Sequence, residues 1–104
     1  MWAISRFRVG DEPPEAFAAR AGIAADFMRT RPGCRSAEVV RNLDDPGLWA
    51  LVSHWDNVGS YRRAFNGYDG KVILTVLLSE AIDEPGAYAT PDDVGENLPR
   101  SAVT

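Results

Sequence analysis

Cysteine and histidine each occur once in this sequence, as Cys34 and His54. A single thiol cannot close an intrachain disulfide framework or supply the paired thiolates of a structural zinc site, so no metal is expected and a reducing, cytoplasmic setting fits best. Long apolar runs are also missing. No stretch approaches the roughly 20 residues a membrane-crossing helix needs, and the opening Met1-Trp2-Ala3-Ile4-Ser5-Arg6 has neither a long apolar core nor a small-residue cleavage site. Neither export nor membrane insertion is expected. Basic excess is the third lack: 11 Lys and Arg against 15 Asp and Glu leave a net charge of -4. Binding to a phosphate backbone needs clustered cations, so nucleic acid is not an expected partner. Arg6, Arg8, Arg62 and Arg63 form local basic spots, but Asp11, Glu12, Glu15, Asp44, Asp45 and Asp56 interrupt any stripe.

What is present fits one small α+β domain. In 104 residues, 45% of them hydrophobic, there is room for one core and no second domain. Residues 2–9 are aromatic and branched and stop at Gly10, which predicts a strand. Asp11-Glu12 followed by Pro13 and Pro14 predicts a helix start with an acidic cap. Phe17, Ala21, Ala24 and Met28 recur at helical spacing beside Phe27, and Arg31-Pro32-Gly33 ends that helix. Residues 34–43 and 48–55 predict a hairpin around Asp44-Asp45-Pro46-Gly47. Asp56 or Asn57 can cap a second helix bearing Tyr61, Ala64 and Phe65, broken at Asn66-Gly67 and again at Asp69-Gly70. The leucine-rich run 71–82 predicts a buried helix whose polar edge is Lys71, Thr75 and Ser79. After Pro85-Gly86 a last strand is expected over 87–90. The domain thus spans 1–90, and 91–104 is a polar tail, disordered or laid on a partner subunit. No internal repeat appears.

Alternation predicts two apolar faces on one sheet. The first strand offers Ala3, Phe7 and Val9 on one side and Trp2 and Ile4 on the other; the third offers Ala50 and Val52 against Trp49, Leu51 and Trp55. Helices cover only one face, so the other asks for a cover, and an identical chain is the simplest one. A homodimer of two four-stranded sheets is the expectation.

Several ordered features then resemble the antibiotic biosynthesis monooxygenase family, within the dimeric α+β barrels of ferredoxin-like topology. They are Arg31-Pro32-Gly33-Cys34 before strand two, the Leu43-Asp44-Asp45-Pro46 turn, and residues 48–55 running into Asp56-Asn57. Residues 61–67 and the closing Leu77-Leu78-Ser79-Glu80-Ala81-Ile82 extend the match, which covers roughly residues 2–89. The resemblance implies a ferredoxin-like βαββαβ chain with an antiparallel sheet, paired into a dimeric barrel. It further implies a pocket between helices and sheet, where an aromatic or polyketide-type small molecule meets dioxygen without any cofactor. Family members that carry an asparagine on strand one match Ser5 here. Haem-degrading relatives need that asparagine, a tryptophan and a histidine where this chain has Ser5, Ala64 and Ile73, so haem degradation is disfavoured. A non-catalytic small-molecule-binding or stress-response dimer is the alternative function.

Within that frame the catalytic candidates are His54, Ser5 and Tyr61. His54 offers an imidazole as base for a phenolic proton, although a lone histidine at a strand end is commonly structural. Phe7, Trp55, Phe65 and Tyr68 are the substrate-binding candidates, against aromatic core packing for Phe7 and Phe65. Arg62 and Arg63 can pair a substrate carboxylate or stay solvated. Trp49 and Trp55 either wall a ligand site or fill the dimer seam, with the seam favoured. Nothing marks Cys34 as a nucleophile. The alanines of the first helix permit close packing, leave room for a ligand, or reflect helix propensity.

Overall fold

Strands β1 (Trp2–Arg8), β2 (Cys34–Arg41), β3 (Leu48–Trp55) and β4 (Ala87–Tyr88) form one antiparallel sheet, in the order β2-β3-β1-β4, in the computed structural model, which describes residues 1–95. Helix α1 (Pro14–Arg29) lies against β2 and β3, and α2 (Val58–Arg63) follows β3. Residues 67–78 make α3, with Gly67–Asp69 and Val76–Leu78 α-helical around a π-helical stretch, Gly70–Thr75. The βαββαβ order read from the sequence is the order found. Among the described residues no helix is long and apolar enough to cross a membrane.

Pairing of β1 with β3 puts Ala3 opposite Ser53, Ser5 opposite Leu51 and Phe7 opposite Trp49. These side chains face the helices, where Phe17, Ala21, Ala24, Ala25 and Met28 of α1 complete the core. Phe17 holds the layers together, its ring 5.3 Å from Phe7 and 5.4 Å from Trp49. Such tilted aromatic pairs contribute about 0.5–1.5 kcal/mol each beyond their buried area. The alanines allow α1 to sit close, so they serve packing rather than leaving a void above the sheet.

Trp49 and Trp55 are both in this core, 8% and 0% exposed, and neither lies on the outer face of the sheet. Odd-numbered residues of β3 turn toward the helices, which corrects their expected place in a dimer seam. The outer face carries Trp2, Ile4, Val40, Leu48, Ala50, Val52 and His54, all half-buried or exposed. An uncovered apolar sheet face is therefore present, as alternation predicted.

Local chemistry departs from expectation at five places. Pro13 is the N-cap of α1 and makes no side-chain cap bond; the Glu12 carboxylate instead accepts two bonds from Arg20. In the hairpin, Asn42 Oδ1 accepts the Asp44 and Asp45 N–H groups at 2.8 Å each, so an asparagine upstream of Pro46-Gly47 shapes the turn. Asp69-Gly70 does not break α3: a Cβ on Gly70 would stand 2.8 Å from the Ala64 and Phe65 backbones, and glycine lets the helix pass there. α3 buries one stripe, Leu74 and Leu77, and leaves Val72 and Val76 exposed, which corrects the expectation of a buried helix open to solvent only along its Lys71, Thr75 and Ser79 edge. Last, β4 has two residues and Pro91–Gly95 forms a short helix, α4. Residues 96–104 of the expected tail lie outside the described residues.

Gly33 opens β2 with φ +88°, and a Cβ there would stand 2.3 Å from Ser60 Oγ. Asn57 fixes Ser60 by accepting its N–H at 2.8 Å, so the hydroxyl has little freedom to retreat. Gly33→Ala should lower stability by about 1–3 kcal/mol, read as a shift of the denaturation midpoint; an unchanged midpoint would show that α2 shifts freely relative to β2.

Candidate functional site

A cleft of about 540 Å³ lies at the β1 edge of the sheet, between that strand, α2 and the chain that follows α3. Ser5 of β1 and Tyr61 of α2 line it with Ile4, Leu78 and the segment 81–87. Its outer wall is sewn to β1 by backbone bonds: Ile82 N–H donates to Arg6 C=O at 2.8 Å, and Ile4 N–H to Gly86 C=O at 2.7 Å. Arg6 adds a bidentate pair with Glu84, Nε to Oε2 and Nη2 to Oε1, both 2.6 Å. Those hydrogen bonds hold the Glu84 carboxyl below its usual range. The wall therefore takes up the hydrogen-bonding edge that the two-residue β4 leaves open.

Tyr61 stands on an aromatic pedestal. Its ring meets Trp55 edge-on at 5.7 Å and Phe65 at 5.1 Å. Trp55 is itself fixed, donating its indole N–H to Ser53 Oγ at 2.8 Å within the core. Asn57 sets the start of α2, and hence the position of Tyr61, through the cap bond to Ser60. Burial pushes the Tyr61 phenol above its ordinary range, so it is a neutral hydroxyl that can donate as well as accept. Among the described residues neither the Tyr61 nor the Ser5 hydroxyl has a protein hydrogen-bond partner. Two unpartnered hydroxyls on an otherwise mixed apolar cleft are the arrangement expected of a site that orients one small ligand.

The structure brings together only part of the site expected from the sequence. Ser5 and Tyr61 share the cleft, while Trp55 and Phe65 act on it through Tyr61. Phe7 is buried against Phe17 beyond reach of the cleft. Tyr68 is 80% exposed and does not line the cleft, because it falls in the first turn of α3 after Gly67 has redirected the chain. His54 is on the opposite face of the sheet from Ser5, its ring stacked on Trp2 at 4.5 Å and 3°. Even numbering on β3 sends it outward, so it cannot serve as base in this cleft.

Arg62 and Arg63 do not line it either; Arg63 turns to Ser60 Oγ. Burial raises the Cys34 thiol, as suits an unreactive residue. Among the described residues no cluster of three or more His, Cys, Asp or Glu is arranged to hold a metal. What sequence reasoning missed is the wall, Ile82 to Gly86 with its Arg6–Glu84 pair. Its one visible signal was Pro85-Gly86, which reads as a helix terminator.

A sequence model described as antibiotic biosynthesis monooxygenase matches residues 2–68, well over half of the chain. No curated protein matches. Among solved structures, SnoaB from Streptomyces nogalater, a cofactor-independent oxygenase solved as a point variant, is 20% identical. It covers 86% of this chain and 95% of its own, with a TM-score of 0.68. A protein from Methanosarcina mazei Go1 is 21% identical, covering 83% of this chain and 84% of its own at a TM-score of 0.66. Rv0793 from Mycobacterium tuberculosis is 20% identical, covering 83% and 86% at 0.62. At such identities the likeness shows the fold.

Because burial disfavours its phenolate, Tyr61 should lose its proton at higher pH than an ordinary tyrosine does. The stability carried by the neutral phenol is complete below the ordinary tyrosine range and is lost as pH rises through the raised value. An ultraviolet titration of wild type against Tyr61→Phe checks this. The absorbance lost in the variant should belong to the highest-pH step, and loss of the lowest step would contradict it.

Proposed function

The chain belongs to the antibiotic biosynthesis monooxygenase family, and on that premise we propose that it is a cofactor-independent monooxygenase acting on an aromatic or polyketide-type small molecule. The unpartnered Ser5 and Tyr61 hydroxyls in a cleft of about 540 Å³ carry this reading. The chemistry asks little of the protein. A methylene flanked by phenolic rings, once deprotonated, transfers electrons to dioxygen itself; one oxygen atom becomes the ring carbonyl and the other leaves as water. The CH2 to C=O oxidation supplies all four electrons that dioxygen takes up. The protein's part is to hold the delocalised anion by hydrogen bonds from Ser5 and Tyr61, to return a proton to the departing oxygen, and to exclude water.

A second reading is a binding protein of the same fold, favoured by one observation: among the described residues no histidine lines the cleft to act as a general base. If the substrate's own acidity releases the proton to solvent, catalysis survives that lack; if not, the cleft only binds.

The protein acts as a homodimer in the cytoplasm, with a second copy on the outer sheet face. Trp2, Ile4, Val40, Ala50 and Val52 leave that face apolar and unburied, and burial of apolar surface stabilises at about 25 cal/mol per Å².

Oxygen uptake with an anthrone or quinol panel, with and without chelator, tests the reaction. Turnover should persist with chelator and fall roughly 10- to 100-fold in Tyr61→Phe, consistent with loss of one hydrogen bond to developing charge. His54→Ala should stay within a few-fold of wild type. No turnover across the panel would leave the binding reading standing. For the assembly, sedimentation should give a dimer for wild type and a monomer for Val52→Asp, since an unpaired charge cannot enter an apolar interface without large cost. A wild-type monomer at micromolar concentration would overturn the dimer.

A further inference from the structure

The charged groups around the cleft are of one sign. Asp83 and Glu84 line it, and among the described residues no Lys, Arg or His does. Arg6 contacts the wall through Glu84, which engages its Nε and Nη2 at 2.6 Å each. That pair is locally neutral and turns two guanidinium nitrogens to Glu84. Asp83, exposed at the rim, has no hydrogen bond or ion pair among the described residues. Its charge at the mouth is uncompensated.

We propose that the cleft selects an uncharged phenolic ring system and rejects the same ring system bearing a carboxylate, with Asp83 as the specificity-determining residue and Arg6–Glu84 keeping the neighbouring cation occupied. This rests on the reading of the cleft as the substrate site. A carboxylate can enter in two orientations. Pointed inward, it leaves water for two neutral hydroxyls, Ser5 and Tyr61, with no cation to pair with, and an unpaired charge in a partly dry site is costly. Pointed outward, it meets the Asp83 charge. A phenol avoids both costs, because its hydroxyl donates and accepts, and its anion is spread over the ring. The net charge of -4 adds a field of the same sign around the mouth.

The experiment is calorimetric binding of a neutral dihydroxyanthraquinone and of its carboxylated counterpart to the full-length protein. The neutral compound should bind roughly tenfold tighter or more in wild type. Asp83→Asn, at an exposed position that leaves the fold undisturbed, should recover about three- to fivefold of the carboxylate's deficit, more at low salt than at high. Equal binding of the two compounds to wild type, or a deficit untouched in Asp83→Asn, would overturn this selectivity while leaving the cleft as the binding site. Failure of both compounds to bind a folded wild-type protein would overturn the site itself.

Discussion

The β1–β3 ladder assigns every side chain on both strands to one of two sides of the sheet. With Ser5 opposite Leu51 and Phe7 opposite Trp49, a slip of one residue would exchange the sides completely. The aromatic core depends on this register, since Phe7, Trp49 and Trp55 meet the helices only in this parity. The uncovered outer face depends on it too, because the same parity sends Trp2, Ile4, Val52 and His54 outward. So does the cleft: Ser5 reaches it, and His54, on the neighbouring strand, does not.

From that register the cleft is assembled in two steps that differ in physical kind. Packing fixes the floor, as Ser53 holds Trp55, Trp55 and Phe65 hold the Tyr61 ring, and Asn57 holds the start of α2. Hydrogen bonding fixes the wall, through Ile82 on Arg6, Ile4 on Gly86 and Glu84 on the Arg6 guanidinium. A close-packed floor gives Tyr61 a definite direction. The wall is held by a few bonds near solvent, and segments of that kind open at lower free energy than a core does.

The fold was legible because it is written in short periods. Alternation marked β1 and β3, the spacing of Phe17, Ala21, Ala24 and Met28 marked α1, and Gly33 and Asn57 marked boundaries that the structure keeps. The apolar outer face was legible for the same reason. Parity relative to the helices was not, since both columns of β3 are apolar; hence Trp49 and Trp55 were set toward the seam and His54 was weighed as a base. Ser5 and Tyr61 could be paired from sequence because a resemblance supplied the pocket, whereas Tyr68 could not be ruled out, as its direction follows from the positive φ of Gly67. The wall was hidden because its partners, Arg6 and Glu84, are 78 residues apart and no local pattern links them.

The cleft's electrostatics and its hydroxyls point to the same kind of ligand. A site that must stabilise a localised anion brings a cation or several backbone amides to it. Here two neutral hydroxyls stand where such groups would be, one of them held protonated by burial. Two hydroxyls suffice for an anion whose charge is spread over fused rings, because each oxygen then carries a fraction of it. They do not suffice for a carboxylate, whose charge rests on two atoms. Glu84, by engaging Nε and Nη2 of Arg6, keeps the wall attached to β1.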